Sequence, residues 1–202
     1  MKLYNLPPAP NPRRVRIFLA EKGIEVPTVD IDITKNEHRT PEFLALNPLA
    51  ALPVLELDDG TVITESIAIC RYFEELHPQP PMFGRSALER AQVEMWNRRM
   101  ELGLMRAITD HFVHGNDFWK GRREQVPEYA ELARTRALAS MEWLDGELAQ
   151  RAFIAGEDYT VADITAQCAL LLGKNTGIPI PPERMNLTRW WASVTSRPTA
   201  RA

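Results

Sequence analysis

Three prolines within four residues, Pro78, Pro80 and Pro81 in the run His77-Pro78-Gln79-Pro80-Pro81, set the first constraint on how this chain folds. Proline lacks an amide hydrogen and its ring clashes with the preceding helical turn. Neither a helix nor a central strand therefore runs through such a segment. The sequence also changes character across it. Before it, strand and helix signals alternate; after it, the apolar periodicity is helical. The 202 residues thus read as two small domains, 1–77 and 86–202, with a linker over 78–85.

In the first domain, Lys2 to Leu6 has the character of a short strand. Asn11 reads as a helix N-cap with Pro12 at the first helical position. That helix runs through Val15, Phe18 and Leu19 and stops at Gly23. Val26 to Ile33 alternates apolar and polar residues, as a half-buried strand does. Thr40-Pro41 opens a short helix. Val54 to Leu57 and Val62-Ile63 flank an Asp59-Gly60 turn and form a hairpin, followed by a helix from Ser66 to Leu76. The order is βαβ–α–ββα, which suits an α/β layer around a mixed sheet.

The second domain reads as all-α. Ser86-Ala87-Leu88-Glu89 is a capping box opening a long helix, with Leu88, Ala91, Met95, Leu102 and Met105 as its apolar stripe. Asn116 to Pro127 interrupts it. A second long helix spans Glu128 to Gln150, with Leu132, Met141, Leu144 and Leu148 inward. Val161 to Leu172 is apolar enough to be the buried centre of this half. Thr160 and Asp163 form its capping box, with Tyr159 and Ile164 as a hydrophobic staple. A last helix, Leu187 to Ser196, carries Trp190 and Trp191.

A net charge of -3 leaves no electrostatic footprint for nucleic acid or an anionic membrane. No apolar run approaches membrane-spanning length. Cys70 and Cys168 lie far apart in apolar surroundings, which argues against a disulfide framework and for inert core thiols in a reducing compartment. Met1-Lys2-Leu3-Tyr4 enters strand-like sequence directly, without a signal-peptide pattern, so a cytoplasmic location is expected. His111 and His114 have no acidic or cysteine partner at ligand spacing, so no metal is expected.

The chemistry concentrates in Ala51 to Cys70. A proline, Pro53, precedes a strand, a hairpin follows, and Glu65-Ser66 then opens a helix. A carboxylate and a hydroxyl beside free helix N–H groups suit a small zwitterionic ligand. Taken alone, Pro53 also suits an ordinary strand-edge turn, and Thr64-Glu65-Ser66 an ordinary helix cap. Together with Asn11-Pro12-Arg13-Arg14-Val15-Arg16, Phe43-Leu44-Ala45-Leu46-Asn47-Pro48, Phe153-Ile154-Ala155-Gly156 and Thr160-Val161-Ala162-Asp163, this run resembles the cytosolic glutathione S-transferase family along nearly the whole chain.

The resemblance implies a thioredoxin-like first domain and glutathione as co-substrate, with no permanently bound cofactor. It implies a cis Pro53 that presents the backbone of Leu52 to the cysteinyl residue of glutathione. Glu65 would pair with the γ-glutamyl ammonium, while Ser66 and the helix N–H groups hold its carboxylate. The sequence departs from the family in two places. The loop Leu6-Pro7-Pro8-Ala9-Pro10-Asn11-Pro12 holds no Ser, Thr, Tyr or Cys, and Ala9 stands at the usual hydroxyl position. Asn11 matches the Asn in the family's Thr/Ser-Pro-Asn variant of this loop, which implies that its amide, or helix-start N–H groups, donates to the sulfur; Asn11 can equally be a cap alone. Tyr4, inside the first strand, reads as a core aromatic. Where relatives often carry Asn-Pro-x-Gly-Lys, this chain has Asn47-Pro48-Leu49-Ala50-Ala51, so a cation for the glycyl carboxylate must come from elsewhere; Lys35, His38 and Arg39 lie in the loop that flanks this pocket in relatives, each equally suited to an ordinary exposed loop, and His38 is the one taken as candidate.

By position in the family, Trp96, Met100, Leu104, His111 and Phe112 are candidates for contacting a second, small hydrophobic substrate. The expected function is attack by the glutathione thiolate on an electrophile, peroxide or disulfide. The alternatives are a non-catalytic binding protein on the same scaffold and a glutathione-dependent disulfide or peroxide reductase. A homodimer is expected, with Arg90 and Trp96-Asn97-Arg98-Arg99 as contacts.

Overall fold

A computed structural model describes residues 1–202. The chain divides into two compact units, Met1–Met82 together with Arg201–Ala202, and Phe83–Ala200.

The first unit follows the expected order: β1 (Lys2–Asn5), α1 (Pro10–Lys22), β2 (Thr28–Asp30), α2 (Pro41–Leu46), β3 (Val54–Glu56), β4 (Val62–Thr64) and α3 (Ser66–Leu76). Two one-turn 3-10 helices, Ile33–Lys35 and Glu37–Arg39, lie between β2 and α2. The sheet order is β2-β1-β3-β4; β1 and β2 run parallel and the other pairs antiparallel. This is a thioredoxin-like mixed sheet. Leu3, Val54 and Leu55 of the sheet and Val15, Ile17, Phe18, Ile69 and Phe73 of the helices are buried and form the core. β2 is shorter than the alternation of Val26 to Ile33 suggests, and all three of its residues are exposed. It is one of the two edge strands, so one side of it goes unpaired.

Asn11 is not the cap of α1. The helix begins at Pro10, Ala9 is the N-cap residue with φ -78° and ψ 141°, and no side chain caps it. Pro10 already has the backbone geometry of a first helical residue, and the Ala9 carbonyl accepts the Arg13 N–H at 3.2 Å. Asn11 therefore lies inside the first turn. At the other end Gly23 adopts φ 66° and closes the helix through bonds to Ala20 and Leu19. Lys22 pairs with Glu74 of α3 and donates to the carbonyls of His77 and Pro80, and Glu74 accepts the Met82 N–H at 3.0 Å. These bonds tie the proline-rich segment to its own unit.

The second unit contains only helices: α4 (Ala87–Arg98), a π-helical stretch (Arg99–Met105), α5 (Arg106–Gly115), α6 (Pro127–Glu147), α7 (Val161–Asn175) and α8 (Met185–Thr195), with short 3-10 turns. Ser86 caps α4 by accepting the Glu89 N–H, but Glu89 returns its bond to the Arg85 N–H and not to Ser86. The expected stripe on this long helix is corrected. Leu88 and Leu102 are each 68% exposed and Met95 40%, while Val93, Trp96, Asn97, Met100 and Leu104 face inward with Met105. The inner face was disguised by Asn97, a buried amide whose carbonyl accepts the Thr165 hydroxyl at 2.7 Å. On α6 and the 3-10 turn that follows it, Met141, Leu144 and Leu148 are buried as expected, but Leu132 is exposed. Ala130, Ala133 and Ala137 continue the inner face at three- and four-residue steps, and Leu132 lies on the opposite side. Every residue from Val161 to Leu170 of α7 is buried, so this helix is the centre of the unit.

Candidate functional site

Strand register brings the candidate residues to one end of the sheet. Tyr4 of β1 and Thr64 of β4 both lie opposite Val54 of β3, and Asn5 lies opposite Asp30 of β2. Because β3 runs against the other three strands, its N-terminal end meets their C-terminal ends. Leu52-Pro53, the loop from Leu6 into α1, the turns that follow β2, and Glu65-Ser66 therefore share that end. Read along the strand order, the candidates run His38, Asn11, Leu52-Pro53, Glu65-Ser66.

The Leu52–Pro53 peptide bond is cis. Pro53 is buried, and the N–H and C=O of half-buried Leu52 make no hydrogen bond with the rest of the chain. Asn47 shapes the approach: its amide donates to the Ala51 carbonyl at 2.9 Å and its carbonyl accepts the Leu49 N–H at 3.1 Å. Ala50 is left with φ 52°, in the left-handed region that glycine occupies more readily.

Glu65 precedes α3 with φ 66° and ψ 116°, and its carbonyl accepts the first helical bond, from Ile69. Its side chain caps nothing and is exposed. The amides of Ser66, Ile67 and Ala68 have no intrahelical acceptor, so α3 presents them at its start. Ser66 is only 5% exposed. Its Oγ accepts a 2.8 Å hydrogen bond from Nη1 of Arg14, a fully buried residue of α1. Sequence reasoning missed Arg14. The signal was present: Arg14 stands four residues before Phe18, next to Val15, on the apolar face of α1. A cation on such a face needs a polar partner on the element packed against it.

The prolines of the α1 turn limit what can reach a sulfur there. Pro10 and Pro12 have no N–H, and the Arg13 N–H is taken by Ala9. The N–H and the side-chain amide of exposed Asn11 remain. The loop before it is held in place: Arg16 donates to the side-chain Oδ1 of Asn5 and to the backbone carbonyl of Pro7, and the Asn5 side-chain amide donates to Asp30 at 2.6 Å. Tyr4 is no substitute donor, because its hydroxyl is committed to Glu56 at 2.8 Å. His38 is half-buried in its 3-10 turn. Cys70 and Cys168 are buried. Among the second-substrate candidates, Trp96, Met100 and Leu104 are core residues of the helical unit. His111 and Phe112 are half-buried; His111 pairs through Nδ1 with the Ala130 carbonyl.

Residues 1–75 match the family model of the glutathione S-transferase N-terminal domain, and residues 95–198 that of its C-terminal domain. Glutathione S-transferase 2 of Saccharomyces cerevisiae is 37% identical over 205 residues, covering 100% of this chain and 88% of the relative. The crystal structure of a glutathione S-transferase domain-containing protein from Marinobacter aquaeolei superposes with a TM-score of 0.93 at 40% identity, covering 99% of this chain and 100% of the other. The maleylacetoacetate isomerase of Pseudomonas aeruginosa is 29% identical over 188 residues, 89% of this chain and 84% of the relative. With both domains matched in order along one polypeptide, this chain belongs to the glutathione S-transferase family.

Proposed function

We propose that the chain binds glutathione across the end of its sheet and uses the thiolate of that peptide against a small hydrophobic electrophile, a peroxide or a disulfide. One observation carries this reading: candidates for every part of the tripeptide lie in order along the strands. Three inter-strand steps of about 4.8 Å each give a span suited to an extended tripeptide. In this arrangement Glu65 takes the γ-glutamyl ammonium, and the Ser66 hydroxyl with the α3 amides takes the carboxylate. The unused N–H and C=O of Leu52, before Pro53, pair with the cysteinyl backbone as an added strand would. Asn11 donates to the sulfur, and His38 receives the glycyl carboxylate.

Free thiols ionise near pH 8.5, so a donor that favours the thiolate raises the reactive fraction at neutral pH. Here that donor is weak, a neutral amide with a single backbone N–H. This favours, as a second reading, a glutathione-dependent reductase, in which the attacked disulfide or peroxide is itself reactive. A scaffold that binds without catalysis is the third. Relatives named for a transferase and for an isomerase leave the reaction open. A thiol co-substrate and two buried free cysteines suit a reducing, cytoplasmic setting.

The test is a set of parallel turnover assays with glutathione and an aryl halide, a hydroperoxide or a mixed disulfide. Turnover of at least one that falls in Asn11→Ala supports catalysis at this site. Saturable glutathione binding with none of the three turned over supports the binding protein.

A further inference from the structure

We propose that Arg14 is a positioning residue for the carboxylate end of the glutathione site, acting by fixing the direction of the Ser66 hydroxyl hydrogen. This rests on the glutathione reading above and goes one residue deeper. The bond between Arg14 Nη1 and Ser66 Oγ is 2.8 Å, and Arg14 is fully buried. A guanidinium has five N–H donors and no acceptor, so this bond has one possible sense: Arg14 donates and Ser66 accepts. A lone pair of Oγ is then occupied, and the hydroxyl hydrogen must lie along another direction of the tetrahedral oxygen. No group of this chain accepts that hydrogen.

Ser66 is the first residue of α3, and its hydrogen is left for an acceptor outside the chain beside the amides of Ser66, Ile67 and Ala68. A carboxylate, which only accepts, fits this set of donors. The cationic donor behind Oγ polarises the hydroxyl and strengthens the bond it gives. Without Arg14 the hydroxyl is free to rotate, and its hydrogen has no fixed direction. Arg14 thereby selects ligands that carry a carboxylate at this end, which are γ-glutamyl compounds and not their decarboxylated counterparts.

The experiment compares two ligands by calorimetric titration: glutathione, and γ-aminobutyryl-cysteinyl-glycine, which keeps the ammonium but lacks the α-carboxylate. The proteins are the wild type, Ser66→Ala, Arg14→Met, Arg14→Gln and Arg14→Met/Ser66→Ala. The wild type should prefer glutathione by roughly tenfold or more. Ser66→Ala and both Arg14 variants should each lose most of that preference, and the double variant should lose no more than the singles. Should neither Arg14 variant fold, the wild type still reports. The 15N resonance of the Arg14 guanidinium should shift on glutathione binding and stay in place with the decarboxylated ligand. An Arg14 variant that keeps the preference while Ser66→Ala loses it overturns the inference, as does an additive double variant or an Arg14 resonance indifferent to the carboxylate. A wild type without preference between the two ligands overturns the carboxylate placement itself, and the inference with it.

Discussion

Glu65 sits at φ 66° and ψ 116°, where a side chain is strained, at the step from β4 into α3. Such a conformation costs of order 1–3 kcal/mol for a residue with a Cβ. Glycine would fold there without strain, against about 0.5–1 kcal/mol of extra freedom in the unfolded chain. Glu65→Gly should therefore leave the protein as stable or more stable in urea unfolding, while glutathione affinity falls one to two decades with the loss of a charge-assisted bond worth roughly 1.5–3 kcal/mol. A less stable Glu65→Gly chain would count against the strain, and unchanged affinity against the Glu65 contact. Asn11 is the second test at this scale. Since it is not the cap of α1, Asn11→Ala should change stability little, by less than about 0.5 kcal/mol, as exposed substitutions do. If its amide favours the thiolate, the ultraviolet absorbance of bound glutathione thiolate should then appear at higher pH. Unaltered thiolate absorbance would leave the backbone N–H as the donor. The residues that open α3 were legible because Glu65 and Ser66 are adjacent in sequence and lie at a helix start. The apolar face of α1 signalled a buried Arg14, but not its partner, because Ser66 lies on a helix that only tertiary packing brings near.

Elements carry their own chemistry, and α7 shows it best. Asp163 is fully buried; it accepts from the Thr160 N–H at 2.9 Å and forms a reciprocal capping box with Thr160. Its other oxygen accepts the Ile154 N–H and the Trp190 indole, at 2.9 and 2.8 Å. The capping box was legible from Thr160-Val161-Ala162-Asp163; the bonds to Ile154 and Trp190, which join α7 to the preceding turn and to α8, were not. Asp163→Ala strands four buried donors, the Thr160 N–H and hydroxyl, the Ile154 N–H and the Trp190 indole, each worth about 1–3 kcal/mol, and should lower the unfolding free energy by roughly 3–5 kcal/mol. Burial pushes the Asp163 carboxyl up to about 6, against the pull of its hydrogen bonds. Between 3.8 and about 6 the folded chain holds a proton that the unfolded chain releases. The contribution of this carboxyl to stability is thus full below that window and is lost as pH rises through it. The stability difference between wild type and Asp163→Asn should shrink from pH 4 to pH 6 and level off above. A difference that widens over this range would contradict the assignment. The helix faces teach a related lesson. Leu88, Met95 and Leu102 repeat as regularly as the true inner set, so periodicity found two faces of one helix and hydropathy chose the wrong one. A buried amide, Asn97, and its hydroxyl partner Thr165 define the inner face, and no hydropathy scale records that pairing.

At the scale of the whole molecule, the misassigned stripe bears on assembly. Leu88, Ala91 and Met95 form an exposed apolar row on α4, and monomeric proteins seldom leave such rows uncovered on a helix otherwise rich in charge. Of the contacts first expected, Trp96 and Asn97 are buried within their own unit and Arg98 is held by Glu94 and Glu101. A two-fold dimer that covers the row is the expected assembly. Light scattering should report about twice the 23.0 kDa chain mass, and Leu88→Glu/Met95→Glu should shift it to the monomer. A monomeric wild type at micromolar concentration would rule this out. No helix is long and apolar enough to cross a membrane. The order of elements in both halves was legible from proline placement, helix stops and strand alternation, because those are local. The convergence of Asn11, Leu52, Glu65 and Ser66 on one sheet end came from the family resemblance, since register and strand order are not local properties. The measurement that bears most directly on that convergence is calorimetric titration of the purified chain with glutathione. The expected result is saturable binding of one glutathione per chain, weakened ten- to a hundredfold in Ser66→Ala. No binding to the wild type at millimolar glutathione, or identical binding by Ser66→Ala, would contradict it.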